Sequence, residues 1–307
     1  MDNFNAQRAA YAERIEASLT RAFAQWSAPA QPPETRAEDA SAFGLLGGGK
    51  RLRAMLALAA GEAVGLSADE AETIAVAVET LHAYSLVHDD LPAMDDADTR
   101  RGQPSVHRKY DEVTAILAGD QLLTYALGHL ADLPVACRAL SEAGARMVRG
   151  QMLDLLSESD AVSLDLPALE RLQAQKTGAI IRFACEAPAL LMGSEAAAQA
   201  LGDYGHHLGL AFQITDDLLD AVSDPETLGK PVGADALAGK ATFVTLLGVD
   251  AARARAAQEI SAARAALSGL AAAPGGPLPS SRSDSASPDS PGEAPTLHEA
   301  TSSRFAD

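Results

Sequence analysis

The feature that most constrains the fold of this chain is an almost unbroken succession of helix-forming segments between Lys50 and Leu270. Alanine and leucine dominate these segments, and both lose little free energy on entering a helix. Alternating strand patterns are scarce, and no rhythm of alternating strands and helices is present. Short breakers separate the helical segments at Gly65–Ser67, Leu91–Pro92, Asp132–Pro134, Asp165–Pro167, Gly193–Ser194 and Asp224–Pro225. The sequence therefore predicts an all-α fold, a single large bundle of mostly antiparallel helices.

The composition changes near residue 270, which predicts a domain boundary there. Residues 1–270 are expected to form one domain and residues 271–307 a disordered tail. From Pro274 onward, Pro, Ser and Gly supply 17 of the last 34 residues, so this segment has too little apolar surface to order itself.

Charge and hydropathy exclude several classes of partner. The net charge of −18 argues against binding to nucleic acid or to an anionic membrane. No uncharged apolar run approaches the roughly 18 residues needed to span a bilayer, and the polar start carries no apolar signal segment. Cys137 and Cys185 have neither metal-ligand spacing nor partners for a disulfide framework. We expect a cytoplasmic protein with no stable membrane insertion.

Two clusters of aspartate residues each end an apolar helical stretch. The first is the segment DDLPAMDDAD, which begins at Asp89, and the second is DDLLD, which begins at Asp216. In a helix, Asp216 and Asp220 lie on one face with Asp217 beside them. Carboxylates crowded in this way repel each other unless a cation lies between them, and oxygen-only ligands suit Mg²⁺. Two such clusters together predict a magnesium site.

Basic residues are concentrated near the same parts of the sequence. GGGKRLR, from Gly47 to Arg53, places three cations after three glycines, which let a backbone approach a phosphate closely. Other cations follow the aspartate clusters or open a helical segment: Arg100, Arg101, Lys176, Lys230 and Lys240. GLLGGGK matches most of a P-loop, but Arg51 stands where that motif needs Ser or Thr, and no strand precedes it. The glycines and cations therefore indicate a site for phosphate groups, and the missing hydroxyl residue and strand argue against a nucleotide site.

Five segments occur in the order found in a known family: GGGKRLR, HAYSLVHDDLPAMDDADTRRGQPSVH, QKTG, FQITDDLLD and GKPVGAD. In these segments, over about residues 1–270, the chain resembles the trans-isoprenyl diphosphate synthases, and most of all the bacterial farnesyl type. The resemblance implies the isoprenoid synthase fold, with helices around a central active-site cavity. It also implies a homodimer, isopentenyl diphosphate and allylic diphosphates as substrates, and three Mg²⁺ ions, for which Mn²⁺ could substitute.

The resemblance also implies roles for individual residues. The metal ligands would be Asp89, Asp90, Asp95, Asp216, Asp217 and Asp220. The allylic diphosphate would contact Arg100, Lys176 and Lys240, with Lys230 also binding substrate. Isopentenyl diphosphate would be held by Gly49, Lys50, Arg53, His82 and Arg101. Thr177 and Gln213 would present oxygens to the developing allylic cation, and they would act in catalysis together with Lys176 and Arg100.

The implied reaction is the condensation of isopentenyl diphosphate with dimethylallyl or geranyl diphosphate to give farnesyl diphosphate and pyrophosphate. Tyr84, five residues before Asp89, and the adjacent Ser85 are the residues expected to limit chain length. One alternative is a geranylgeranyl diphosphate synthase. A terpene cyclase would not need the second diphosphate site. A catalytically silent binding subunit is the alternative from another class, although such subunits typically lose the aspartates that are present here.

Overall fold

The structure, a computed structural model, describes residues 2–28, 31–33, 35–159, 161–222 and 241–271. Lys230, Lys240, the breaker at Asp224–Pro225 and the tail beyond residue 271 lie outside the described residues. The first half contains α1 (Asp2–Ser27), α2 (Thr35–Leu46), α3 (Leu52–Val64), α4 (Ala68–Asp89), β1 (Thr99–Arg100), β2 (Gln103–Pro104), α5 (Val106–Lys109) and α6 (Glu112–His129). The second half contains α7 (Pro134–Glu158), α8 (Leu166–Gln173), a π-helical turn (Ala174–Gly178), α9 (Ala179–Leu191), α10 (Glu195–Val222), α11 (Phe243–Leu247), α12 (Val249–Ala266) and α13 (Ser268–Ala271). The predicted all-α class is confirmed.

Local sequence signals explain where several helices begin and end. Asp111 accepts a hydrogen bond from the Thr114 N–H (2.7 Å) at the start of α6, and Asp165 accepts one from the Ala168 N–H (2.9 Å) at the start of α8. Each carboxylate satisfies a backbone donor that has no partner within its helix. Gly65 ends α3 with φ of 74°, a left-handed conformation that a residue without Cβ adopts at little cost.

The centre of the bundle is α4. Residues 74–81 of this helix are all buried, so neighbouring helices surround the segment on every side. It packs against α3 and α6, while α9 and α10 pack against each other and α12 covers α10. The large side chains of Leu81, Leu122, Leu140 and Phe183 are fully buried in one shared core. This packing holds the carboxyl end of α4 in a fixed position relative to its neighbours.

Two short features depart from the helical pattern that the sequence predicted. One is the two-stranded hairpin β1–β2, in which Thr99 pairs with Pro104 and Arg100 with Gln103. The other is the π-helical turn between α8 and α9. Both carry residues that the sequence assigned to the site. None of the described helices has the length and apolarity needed to cross a bilayer.

Candidate active site

The first aspartate cluster lies where α4 ends. Asp89 is the last residue of the helix, and its backbone oxygen accepts a hydrogen bond from the Asp95 N–H at 2.9 Å. The Ala97 N–H donates to the Asp90 oxygen at 3.2 Å. The intervening loop therefore folds back and returns Asp95 to Asp89. Both carboxylates lie near the negative end of the helix dipole, which makes this helix end a favourable place for a cation.

The surroundings of the Asp89 carboxyl raise its pKa. Burial, together with the negative charges of Asp95 and Asp90, raises its pKa to about 6, although Lys176 and Arg100 oppose the change. The ordinary pKa of an aspartate carboxyl group is 3.8. The surroundings therefore disfavour the ionised form in the absence of a further positive charge.

Asp90 has a different environment from Asp89. It is only 2% exposed, and its carboxylate accepts hydrogen bonds from the Arg100 guanidinium, with Nε 3.0 Å from Oδ1 and 3.3 Å from Oδ2. Arg100 belongs to β1, so this ion pair joins the hairpin to the end of α4.

The second aspartate cluster lies on α10. Asp216 and Asp220 are partly exposed, whereas Asp217 is buried. Asp217 accepts hydrogen bonds from Gln213 Nε2 at 3.0 Å and from the Phe243 N–H at 2.8 Å. The charge of Asp216 acts on the Arg53 guanidinium, which brings this cluster into the same electrostatic environment as the GGGKRLR segment.

Lys176 and Thr177 project from the π-helical turn. Lys176 Nζ forms an ion pair with the buried Asp154 carboxylate of α7, and Thr177 Oγ1 donates to Gln213 Oε1 at 3.3 Å. The turn approaches α7 so closely that a Cβ on Gly150 would lie 2.3 Å from the Lys176 nitrogen. π-turns inserted in helices frequently occur at functional sites, where they redirect side chains.

A second cationic site forms where the hairpin meets the loop before α3. Arg101 and Gly102 have φ of 55° and 73°, the left-handed pair that a tight hairpin turn requires. The Arg101 guanidinium donates to the Gly48 oxygen, and a Cβ on Gly49 would lie 2.7 Å from Arg101 Cζ. Gly49 also has φ of 129°, a backbone conformation that favours glycine.

His82 and Arg53 complete this cationic site. Burial and the neighbouring cations, Arg53 and Arg101 foremost, hold the pKa of His82 well below its ordinary value, so the imidazole is neutral. Burial also lowers the pKa of Arg53, whose Nε is buried and has no hydrogen-bond partner among the residues that the structure describes. Positive charge that is poorly compensated in this way favours a bound anion. Lys50, beside them in the sequence, is exposed.

Tyr84 and Ser85 occupy α4 within two turns of Asp89. Both are partly buried, and the Tyr84 ring meets the His88 ring edge-on with a centroid distance of 5.1 Å. The negative charge of Asp89 contributes, after burial, to raising the pKa of Tyr84. The phenol therefore lies close to the first aspartate cluster, on its N-terminal side along the helix.

Sequence reasoning missed two residues that hold the site together. Asp154 pairs with Lys176, and the available signal was an isolated acid in the apolar stretch QMLDLL. Arg108 binds Asp96 at 3.2 Å and Asp98 at 2.6 Å, which tethers the loop after the first cluster. Its signal was weak, because a cation after an acidic run is usually a solvated charge.

Within the part of the chain that the structure describes, no three acidic, imidazole or thiol groups converge into a ready-made metal site. Mg²⁺ completes its octahedral shell with phosphate oxygens and water, so each cluster needs to supply only one or two carboxylates. The accessible carboxylates of Asp89, Asp95, Asp216 and Asp220 fit this requirement.

Comparison with known proteins identifies the family of this chain. The polyprenyl synthetase family matches residues 37–268. The chain belongs to the polyprenyl synthetase family. It is 43% identical over 278 residues to a farnesyl diphosphate synthase of Escherichia coli K12, covering 85% of this chain and 92% of that one. It is also 38% identical over 260 residues to a geranylgeranyl pyrophosphate synthase of Arabidopsis thaliana, covering 79% of this chain and 69% of that one.

A solved member of the family has the same fold. The FPP/GFPP synthase from Zymomonas mobilis, in its apo form, superposes with a TM-score of 0.75 at 36% identity. The match covers 86% of this chain and 93% of that one. The predicted isoprenoid synthase fold and family are therefore confirmed.

Proposed function

We propose that this protein is a Mg²⁺-dependent farnesyl diphosphate synthase that joins isopentenyl diphosphate to dimethylallyl or geranyl diphosphate and releases pyrophosphate. The observation that carries this proposal is that the charged side chains form two groups, each of which we propose to bind one diphosphate. One comprises the aspartate clusters with Lys176 and Arg100, and the other comprises Arg53, His82 and Arg101. A reaction that uses two diphosphates needs both sites.

The allylic site supplies the groups needed to ionise a C–O bond. Mg²⁺, when bound with the diphosphate, would neutralise the charge that develops on the leaving pyrophosphate. Asp89, Asp95, Asp216 and Asp220 would hold the metal, while Asp90 and Asp217 would support them from buried positions. Lys176 and Arg100 add fixed positive charge beside the leaving group, where little reorganisation is needed during the reaction.

The second site would hold the diphosphate of isopentenyl diphosphate, whose double bond attacks the allylic cation. Arg53 and Arg101 supply charge, neutral His82 supplies a ring nitrogen, and Gly49 with Lys50 forms the adjoining loop. Because His82 lies seven residues before Asp89 on α4, one helix serves both sites at a separation of about 10 Å along its axis. Thr177 and Gln213 would direct oxygens toward the allylic cation. Lys230 and Lys240 remain proposed substrate contacts from the sequence.

The farnesyl product is supported by Tyr84. A phenol five residues before Asp89 lies about 7 Å farther from the diphosphate along the helix and can form the floor of the hydrocarbon cavity with Ser85. The geranylgeranyl alternative requires that this floor be open. The silent-subunit alternative is disfavoured, because the six aspartates and the cations of both sites are retained. Cytoplasmic location stays a prediction.

A homodimer is supported by exposed apolar side chains on α6 and α7. The connection between these helices is short, which favours an antiparallel arrangement with residues 113–117 and 148–156 toward the same end of the bundle. The exposed side chains are Val113, Ile116, Leu117, Val148, Met152 and Leu156. A second copy of the chain is the partner that we propose to cover them.

The test is incubation of the purified protein with isopentenyl and dimethylallyl diphosphates and Mg²⁺, followed by sizing of the product alcohols. We expect a fifteen-carbon product, none with EDTA, and none from the allylic substrate alone. Arg53→Gln should raise the KM for isopentenyl diphosphate and leave that for geranyl diphosphate nearly unchanged. Asp132→Asn, an exposed loop change, is the control. Condensation that persists in EDTA would contradict the mechanism.

A further inference from the structure

Asp217 differs from the other acidic residues of its cluster. It is only 5% exposed, whereas Asp216 and Asp220 on the same helix are partly exposed. Its Oδ1 accepts a hydrogen bond from Gln213 Nε2 at 3.0 Å, and its Oδ2 accepts one from the Phe243 N–H at 2.8 Å. Both oxygens of this carboxylate are thus directed at donors of the protein.

The bond to Asp217 determines how the Gln213 amide is oriented. An amide has one NH₂ group and one oxygen, and an ionised carboxylate can only accept hydrogen bonds. The NH₂ group of Gln213 must therefore face Asp217, and its oxygen must face the other way. On that side Thr177 Oγ1 lies 3.3 Å from Gln213 Oε1 and donates to it.

The bond to Phe243 anchors a second element. Phe243 is the first residue of α11, and an N–H at this position has no partner inside its own helix. Asp217 supplies the missing acceptor from α10. Phe243 itself is fully buried among residues of α8, α10 and α12, so the bond fixes the start of α11 within a packed core.

We propose that Asp217 is a positioning residue, which sets the polarity of the Gln213 amide toward the allylic cation and ties α11 to α10. This inference rests on the proposed function. An amide oxygen directed at a developing carbocation stabilises it, whereas an amide NH₂ in the same place opposes it, so reversal of the amide changes the sign of the interaction. The role as a direct Mg²⁺ ligand belongs to its neighbours Asp216 and Asp220.

The kinetics of Asp217→Asn and Asp216→Asn distinguish a positioning residue from a metal ligand. Asp217→Asn keeps the shape of the side chain. Its amide oxygen can still accept from the Phe243 N–H, so its NH₂ group then faces Gln213 and the Gln213 amide must reverse to present its oxygen. We expect kcat to fall about 10–100-fold, the effect typical of a residue that orients another, with the half-saturating Mg²⁺ concentration unchanged. Asp216→Asn is the matched control and should raise that concentration. An equally large rise in the half-saturating Mg²⁺ concentration of Asp217→Asn would overturn the proposal.

A double-mutant cycle tests whether Asp217 acts through Gln213. Gln213→Leu removes the amide, so adding Asp217→Asn to it should lower kcat little further. If the two losses multiply as independent effects, Asp217 does not act through Gln213 and the proposal fails. Melting temperatures of all variants establish that each is folded.

Amide hydrogen exchange tests the anchor without reference to catalysis. Asp217→Ala removes the acceptor, so the Phe243 N–H should exchange faster, whereas in Asp216→Ala it should stay protected. Unchanged protection in Asp217→Ala would refute the anchoring role. Because this measurement needs no substrate, it remains decisive if the protein fails to condense diphosphates, a result that would refute the proposed function instead. Should Asp217→Ala not fold, the kinetics of the isosteric Asp217→Asn still decide whether Asp217 orients Gln213.

Discussion

Asp89→Asn should make the metal-free protein more stable while abolishing its activity. The Asp89 carboxyl has a pKa raised to about 6 from its ordinary 3.8, chiefly by burial and then by the charges of Asp95 and Asp90. At 1.36 kcal/mol per pKa unit, this difference corresponds to about 3 kcal/mol of destabilisation at neutral pH. Asparagine has nearly the same shape and no charge, so it should recover much of this free energy.

The sign follows from proton linkage. Between pH 3.8 and about 6, the folded protein retains a proton on Asp89 that the unfolded chain releases. Stability therefore falls as pH rises through this window and stays low above it. The difference in free energy of unfolding between the variant and the wild type should be largest above pH 7 and should approach zero as the pH falls below 3.8.

The assay is thermal unfolding in EDTA at several pH values. At pH 7.5 we expect the melting temperature of Asp89→Asn to be about 5–10 °C higher, given a few degrees per kcal/mol for a domain of this size. Adding Mg²⁺ and pyrophosphate should stabilise the wild type more and narrow or reverse the difference. Asp132→Asn serves as the exposed control. An unchanged or lower melting temperature for Asp89→Asn at pH 7.5 would refute the electrostatic reasoning.

Two further predictions concern product length and assembly. Tyr84→Ala should open the floor of the hydrocarbon cavity and shift the product toward twenty carbons, which sizing of the product alcohols would measure. A variant that still stops at fifteen carbons with unimpaired turnover would show that the floor lies elsewhere. Met152→Glu puts a charge among the exposed apolar side chains of α6 and α7, so sedimentation should detect a folded monomer. Met192→Glu, at an exposed methionine in the turn after α9, should leave the dimer intact. A dimer that survives Met152→Glu would exclude this surface as the interface.

Much of the local structure was determined by the sequence. The breakers within the described residues fall at or beside helix ends, because proline, glycine and helix-capping aspartate act within a few residues of their own position. The pairing of Asp216 with Asp220 on one helical face likewise depends only on helical periodicity. These properties need no knowledge of distant residues.

Tertiary structure decided which of several similar side chains face the site. In GGGKRLR, Arg51 turns inward and pairs with Glu16 at 2.7 Å and with the buried Glu79, whereas Arg53 joins His82 and Arg101. Glu16 and Glu79 lie 35 and 28 residues away in the sequence, so no local pattern distinguishes the two arginines.

The aspartate clusters show the same limit. The sequence placed Asp90 and Asp217 beside their neighbours as equivalent carboxylates, and the fold buried both against protein donors, Arg100 in one case and Gln213 with Phe243 in the other. The fold also paired Lys176, in the π-helical turn, with Asp154 of α7. The sequence determined which chemical groups are available and on which helices they lie. Only the packing of those helices determined which groups are desolvated and which can reach a ligand, because burial and charge pairing depend on contacts between residues far apart in the chain.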